Sequence, residues 1–160
     1  MWSTSDHSNA LTAQDSTINL LIKVGVKLPD LDANNQRRKE IAALYINKVK
    51  HPDILLPQCD RDSVYHIFPL LCSRRDELQR YLADNGVGTE IHYPIPPHRQ
   101  RCYAKGAQNW LSELSEWPSL SLPITERIHA EELSIPCNPA LSDDETVCIV
   151  ALINRFKPAK

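Results

Sequence analysis

The 160-residue sequence has only four glycines and contains no apolar run close to the roughly 20 residues that a membrane-spanning helix needs. Residues 1–14 contain neither a basic start nor the apolar stretch of a secretory signal. These absences argue against a membrane span and against secretion. We therefore expect one globular domain, 42% hydrophobic and 24% charged, that stays in the cytoplasm.

The chain also lacks a strong charge of either sign. Its formal net charge is -2, with acidic and basic residues interleaved, and its densest basic cluster is Arg37, Arg38 and Lys39. A nucleic-acid partner is therefore not expected. The basic cluster could clasp a phosphate, but a structural role on a solvated helix face is the preferred interpretation.

Cysteine pairs in a C-x-x-C arrangement are absent as well. The chain contains an odd number of cysteines, which are Cys59, Cys72, Cys102, Cys137 and Cys148. This pattern argues against a disulfide framework or a zinc knuckle and favours reduced, mostly buried thiols. A metal site built from His92, His98 and Cys102 would lack a fourth ligand, so no metal is predicted.

Prolines are abundant, and the 12 of them fall between periodic segments, where they end helices and strands. Residues 18–26 favour a short helix, and a longer helix is predicted from a cap at Asp32 to a stop before Pro52. Residues 65–71 predict a strand in which Pro69 indicates an edge or a bulge. The predicted apolar stripe of the long helix consists of Ile41, Leu44, Tyr45 and Val49.

The next segments predict a helix, a strand and a stiff loop. Ser73 and Asp76 have the spacing of a capping box, and Asn85-Gly86 is a typical helix stop. Residues 87–92 alternate as in a half-buried strand, which would leave His92 facing away from Ile91. The proline-rich residues 93–98 should then hold their side chains in fixed positions.

The C-terminal part predicts two more helices around an extended segment. Thr125 is a candidate cap for a helix through Glu132, residues 133–136 look extended, and Ser142 with Glu145 forms a second capping box. The order of elements predicts an α+β fold with a small mixed or antiparallel sheet covered by helices on one side.

The pair His92-Tyr93 is the most promising polar constellation. A histidine at a strand end beside a proline-fixed loop could hold a phosphate or a sugar hydroxyl. On the residues alone, the alternative is a loop histidine bonded to a neighbouring carbonyl.

Three stretches together resemble the DegT/StrS family of pyridoxal-phosphate-dependent nucleotide-sugar aminotransferases. The first runs from Lys27-Leu28-Pro29-Asp30 through Asn35, Arg37, Arg38, Ile41, Ala42 and Tyr45. The second comprises His66-x-Phe68, Arg75-Asp76-Glu77-Leu78, Asn85-Gly86-Val87-Gly88-Thr89 and Ile91-His92-Tyr93-Pro94-Ile95-Pro96-Pro97-His98-Arg99-Gln100. The third comprises Thr125-Glu126-Arg127, Leu133-Ser134-Ile135-Pro136 and Leu141-Ser142 with the last helix. The middle stretch is the most specific of the three.

The resemblance implies that residues 27–160 are the C-terminal small domain of a fold-type I aminotransferase, with residues 1–26 as a poorly patterned extension. In this family a lysine of the large domain holds pyridoxal phosphate as a Schiff base; an amino donor then replaces the lysine on the cofactor, and the amino group passes to a keto-sugar. The chain offers only Lys23 and Lys27 ahead of the interdomain helix. We therefore expect no catalytic residue here, no cofactor bound to this chain alone, and no complete catalysis without a large domain.

The resemblance also implies a substrate-binding role for His92 and Tyr93 and, by extension, for His98 and Gln100. His66 resembles a position on the first strand, where a core or interdomain hydrogen bond is the expected role. The tryptophans Trp110 and Trp117 are interpreted as packing residues.

Two classes of function stay open. The chain is either a piece of an aminotransferase that acts beside a large domain on a nucleotide-sugar, or a free-standing domain that binds a ligand or protein without chemistry. The family is dimeric, and exposed apolar area left by an absent large domain could drive formation of a homodimer.

Overall fold

A computed structural model describes residues 25–103 and 120–158. Its main elements are α1 (Leu31–Lys48), β1 (Ile54–Leu55), β2 (Phe68–Cys72), α2 (Arg75–Asp84), α3 (Pro123–Glu131), β3 (Glu132–Ile135) and α4 (Asp143–Arg155). Short 3-10 turns cover Leu28–Asp30, Pro97–Arg99 and Arg101–Tyr103. The α+β prediction is confirmed. Trp110, Trp117 and most of the helix predicted over 18–26 lie outside the described residues.

The three strands form one antiparallel sheet in the order β1-β2-β3 with regular pairing at Pro69, so Pro69 lies in the central strand and the prediction of an edge or a bulge was wrong. Pro69 is tolerated because of its register. Ser134, its partner on β3, exchanges both backbone hydrogen bonds with Glu90 on the other side, at 3.1 and 2.8 Å. The nitrogen of Pro69 therefore points towards β1, which already ends at Leu55, opposite Leu71.

The two faces of the sheet differ. Phe68, Leu70 and Cys72 of β2 are buried on the core face, together with Leu133 and Ile135 of β3. Helices α1, α2 and α4 cover this face, and each fully buried leucine contributes about 2 kcal/mol to folding. Helices were predicted on one side of the sheet only, but α3 lies on the opposite face. Its Ile128 lines one apolar groove together with Pro69 and Leu71.

Helix α1 packs through the predicted stripe, since Ile41, Tyr45 and Val49 are buried. Buried Tyr45 donates its hydroxyl hydrogen to the Pro136 carbonyl at 2.7 Å, which satisfies the polar end of its ring. Burial also raises the pKa of this phenol. Asp32 is not the cap, because the helix has already begun at Leu31, directly after the 3-10 turn.

Strand β2 starts three residues later than predicted. Tyr65 has a positive φ of 49°, which interrupts an extended chain and delays the strand to Phe68. Its hydroxyl bonds to the backbone of Asp60 at 2.9 and 3.2 Å, so the loop before the strand has its own fixed conformation.

Two further predicted helix caps were wrong, after that at Asp32. Helix α2 begins after Arg74 without a side-chain cap, because Asp76 binds Arg75 at 2.6 Å instead of reaching back to Ser73. Its predicted end is confirmed, since the helix stops at Asp84 and Gly86 has the positive φ of 80° that favours glycine. Helix α3 starts earlier than predicted, at Pro123, so that Thr125 lies inside it.

The capping box of α4 is confirmed. The Glu145 N–H donates to Ser142 Oγ at 3.2 Å, and the Ser142 N–H donates to Glu145 Oε2 at 2.8 Å. The helix then buries Ile149 and Ile153 against the core.

The basic cluster of α1 has structural partners, as predicted. Arg37 donates to the Leu141 carbonyl and to Asp143, both at 2.7 Å, and this tie to Asp143 raises its pKa. Arg38 bonds to Asn35 at 3.0 Å, and Lys39 bonds to the Arg61 carbonyl at 3.0 Å. The contacts of Arg37 and Lys39 connect α1 to residues outside the helix, and that of Arg38 lies within it.

None of the five cysteines is in a disulfide, and they are not mostly buried as was predicted. Only Cys72 and Cys137 are buried, and burial raises the pKa of both thiols, that of Cys137 to about 11. The exposed cysteines are Cys59, Cys102 and Cys148.

None of the helices in residues 25–103 and 120–158 combines the length and the apolar character that crossing a membrane requires.

Candidate functional site

His92 lies where a short backbone pairing with β3 ends. After Gly86, buried Val87 anchors the chain, and Glu90 then pairs with Ser134 in a single antiparallel bridge. The predicted strand over 87–92 is therefore reduced to one bridge. The next pair in this register would be His92 with Glu132.

Side chains replace the backbone bonds at that position. The His92 N–H donates to the carboxylate Oε2 of Glu132 at 2.7 Å, and the Glu132 carbonyl accepts from Arg75 Nη1 at 3.3 Å. Arg75 also donates to the His129 carbonyl at 3.1 Å. The ladder stops because both backbone groups have other partners, and this frees the His92-Tyr93 segment to turn away from the sheet.

The His92 ring bonds to a buried serine, which in turn bonds to a buried glutamate. Its Nδ1 lies 3.0 Å from Ser134 Oγ, and the Ser134 hydroxyl donates to Glu132 Oε1 at 2.5 Å. Glu132 is only 4% exposed and Ser134 only 6%. Both alternate with the core residues of β3 and so lie on the opposite face of the sheet. His92 is half-buried and does not belong to the hydrophobic core.

Tyr93 is displayed to solvent. Its side chain is 66% exposed, and its ring meets the His92 ring edge-on, with centroids 5.6 Å apart and an interplanar angle of 79°. The Tyr93 carbonyl accepts a hydrogen bond from His129 Nδ1 of α3. The segment is thus tied to the sheet at His92 and to α3 at Tyr93.

An open pocket of about 390 Å³ borders His92. The described residues that line it are His66, Ile67, Gly88, Thr89, Glu90, His92, Ser134, Ile135 and Pro136. His66 is exposed at this edge, which excludes the core position and leaves the interdomain hydrogen bond as a prediction. The pocket combines polar side chains at its rim with an apolar wall, as ligand sites commonly do.

His98 lies apart from this pocket, and it is buried, at 2% exposure. Its Nε2 is 3.2 Å from Glu126 Oε1, and Arg99 binds the same carboxylate at 3.0 Å. Glu126 also accepts the Leu122 N–H at 3.1 Å. The Leu122 N–H, followed by Arg99 and His98, lowers the pKa of this carboxyl to about 2. The cluster joins the proline loop to the start of α3.

Gln100 is exposed near the end of the same loop, and its side chain donates to the Ile95 carbonyl at 3.4 Å. Of the four residues predicted to bind substrate, His92 and Tyr93 lie together, Gln100 is accessible, and His98 is turned inward. No group of three metal-ligating side chains converges within the part of the chain that the structure describes.

Glu132, Ser134, Arg75 and His129 were missed as site residues. The alternation Glu-Leu-Ser-Ile of β3 does carry a signal, because it puts Glu132 and Ser134 on one face of an otherwise apolar strand. Their partner His92 is 40 residues from Glu132 and 42 from Ser134, and no local pattern specifies that pairing.

The fold and the site define a small α+β domain that presents a histidine-tyrosine loop beside an open pocket. The chain belongs to the DegT/DnrJ/EryC1/StrS aminotransferase family, whose model matches residues 22–154.

A curated relative is the dTDP-3-amino-3,6-dideoxy-alpha-D-galactopyranose transaminase of Aneurinibacillus thermoaerophilus. It is 42% identical over 135 residues, which cover 83% of this chain and 34% of the relative. The S. venezuelae DesV structure with a ketimine intermediate superposes with a TM-score of 0.70 and 31% identity, over 82% of this chain and 34% of DesV. For Bacillus subtilis NtdA with bound cofactor PMP, the TM-score is 0.63 at 28% identity, over 77% and 28% of the two chains. The chain thus spans about a third of the proteins it matches.

Complete enzymes of this family depend on pyridoxal phosphate, and the test here is whether the described part of the pocket at His92 could hold it. A Schiff base needs a lysine beside the ring. The described residues that line the pocket at His92 include no lysine, and Lys39 is engaged by the Arg61 carbonyl. The residues of the pocket can donate and accept hydrogen bonds, which suits binding of a substrate.

Proposed function

We propose that this chain serves as the C-terminal domain of a pyridoxal-phosphate-dependent nucleotide-sugar aminotransferase. In this proposal His92 and Tyr93 contact the nucleotide-sugar, and a separate large domain provides the cofactor and its lysine. Family membership and the one-third coverage of full-length relatives support it. The observation that carries it is the placement of His92 at an open pocket, with Tyr93 exposed next to it in the chain.

The four predicted residues have different parts in the proposal. His92 and Tyr93 contact the substrate directly, and accessible Gln100 adds a contact from the end of the loop. For His98, burial against Glu126 favours holding the loop in position over touching the ligand. The proposal keeps residues 27–160 as the domain and a cytoplasmic location, and it expects no cofactor on the chain alone.

The large domain is the partner that this proposal requires. The groove formed by Leu55, Pro69, Leu71 and Ile128 leaves apolar side chains open, with Leu55 59% and Ile128 44% exposed. Apolar area of this kind is typical of a surface that another domain or a second copy covers. A homodimer would be compatible with the same feature.

The test is reconstitution with the large domain of the Aneurinibacillus relative, expressed separately or fused ahead of residue 27. We expect amino transfer to a dTDP-linked keto-sugar. His92→Ala should lower kcat/KM by about tenfold or more, as expected for loss of a hydrogen bond worth about 1.5 kcal/mol. Tyr93→Phe and Tyr93→Ala then separate the hydroxyl from the ring.

His51→Ala is the matched control. His51 bonds to the Phe156 carbonyl at 2.9 Å and to the Asp53 N–H at 3.1 Å, so its replacement removes two side-chain hydrogen bonds elsewhere in the domain, whereas His92→Ala removes the one to Ser134. Equal losses of activity in His51→Ala and His92→Ala would refute a substrate contact. A folded pair without any amino transfer would favour the alternative, a free-standing binding domain.

A further inference from the structure

We infer that Glu132 and Ser134 hold His92 in the tautomer with its proton on Nδ1, so that Nε2 accepts a hydrogen bond from a sugar hydroxyl and does not donate one to a phosphate. The contact with sugar rests on the function proposed above, whereas the tautomer itself does not. Glu132 and Ser134 act as positioning residues.

The chain of hydrogen bonds starts at the buried carboxylate. An ionised carboxylate only accepts hydrogen bonds. Glu132 Oε2 accepts the His92 N–H at 2.7 Å, and Oε1 accepts the Ser134 hydroxyl hydrogen at 2.5 Å. The donor in each contact is therefore fixed.

Ser134 determines which nitrogen of the His92 imidazole carries the proton. A serine hydroxyl has one hydrogen, which Glu132 takes, so Oγ offers only lone pairs to His92 Nδ1 at 3.0 Å. A hydrogen bond between them requires the proton to be on Nδ1. In a neutral imidazole this leaves Nε2 unprotonated.

The unprotonated Nε2 of His92 can accept a hydrogen bond but cannot donate one. Nε2 of His92 meets no hydrogen-bond partner within residues 25–103 and 120–158. A lone pair there binds a hydroxyl hydrogen but repels a phosphate oxygen. The described lining of the pocket agrees with this choice, because it contains the carboxylate of Glu90 and neither lysine nor arginine.

His51 supplies an internal standard of the opposite kind. The Phe156 carbonyl can only accept, so His51 Nε2 must carry the proton, and Nδ1 accepts from the Asp53 N–H. The two histidines should thus show opposite tautomers in one spectrum.

The experiment is a long-range ¹H–¹⁵N correlation spectrum of the full chain at about pH 9, where imidazole in water is neutral. We expect Nδ1–H for His92 and Nε2–H for His51. Ser134→Ala should give His92 a mixture of tautomers.

Glu132→Gln should invert the His92 tautomer. The His92 N–H still needs an acceptor, which only the glutamine carbonyl oxygen can be, so the amide nitrogen must face Ser134 and donate to it. The Ser134 hydroxyl hydrogen then turns to Nδ1, and the proton moves to Nε2. His51 should stay unchanged in both variants, and its signal shows whether each variant is folded.

Three results would overturn the inference. These are Nε2–H at His92 in the wild type, an unchanged tautomer in Ser134→Ala, or His92 signals that move with inorganic phosphate towards the doubly protonated form. In the reconstituted enzyme, dTDP-glucose should shift the His92 Nε2 signal. If the tautomer is as inferred but dTDP-glucose does not shift that signal, the positioning of His92 by Glu132 and Ser134 is supported and the proposed contact with the sugar is refuted.

Discussion

Replacing Ser142 with alanine removes the hydroxyl that accepts the Glu145 N–H at 3.2 Å and donates to Glu145 Oε2 at 2.8 Å. One helix N–H loses its partner, and a lost serine cap costs about 1 kcal/mol. Because α4 buries Ile149 and Ile153, the cost should reach the whole domain. For a chain of this size, 1 kcal/mol lowers Tm by about 3 °C.

Ser73→Ala is the matched control, because it makes the same substitution at a predicted cap that is not one. Helix α2 begins after Arg74 with no side-chain cap, and Ser73 is exposed. The free energy of unfolding of the Ser73→Ala variant should therefore differ from that of wild type by less than about 0.5 kcal/mol. Urea denaturation followed by circular dichroism measures both variants.

Equal midpoints for Ser142→Ala and wild type would refute the reasoning, as would equal losses in the two variants. A second measurement uses pH. The Ser142 N–H and hydroxyl lower the pKa of Glu145, so this carboxylate stabilises the fold above its ordinary pKa, and that contribution is lost as pH falls through its lower folded value. The gap between wild type and Ser142→Ala should narrow in acid.

Three further predictions follow from particular groups. Glu126 has a pKa lowered from 4.5 to about 2, so its ionised form stabilises the fold and this effect should disappear as pH falls from 4.5 to about 2. The free energy of unfolding of Glu126→Gln should therefore approach that of wild type over this range. A constant difference between the two would contradict this. Incubation with pyridoxal phosphate should give no stable Schiff base, and a borohydride-reduced adduct mapped to one lysine by mass spectrometry would show otherwise. A thiol reagent should label Cys59, Cys102 and Cys148 quickly but Cys72 and Cys137 only on unfolding, since burial raises the pKa of both; fast labelling of all five cysteines would contradict the described core.

The sequence predicted local features well where few alternatives compete. Ser142 and Glu145 are correctly spaced, precede a strong apolar stripe and do form the box. Ser73 and Asp76 have similar spacing, but Arg75 attracts the aspartate at 2.6 Å and the helix starts later. A capping pattern therefore indicates only a local preference. Whether the cap forms also depends on neighbouring charged side chains.

The sequence predicted some residues of the candidate site and missed others. His92 and Tyr93 were found through the resemblance and the proline loop. Glu132 and Ser134 were not, because they matter through a register in which β3 meets residues 40 or more positions earlier. Likewise, Pro69 indicated an edge, and only the short length of β1 explains its central place.

The way the sheet ends on both sides limits how other proteins can approach it. On one side β1 pairs over two residues only, and beyond it Pro69 has no N–H to offer. On the other side Glu90 takes the backbone bonds of Ser134, and Arg75 takes the Glu132 carbonyl. An incoming chain finds no continuous row of backbone groups to extend, which protects the described sheet from the edge-to-edge stacking that leads to fibrils. Recognition at this domain must then rely on the shape and chemistry of side chains.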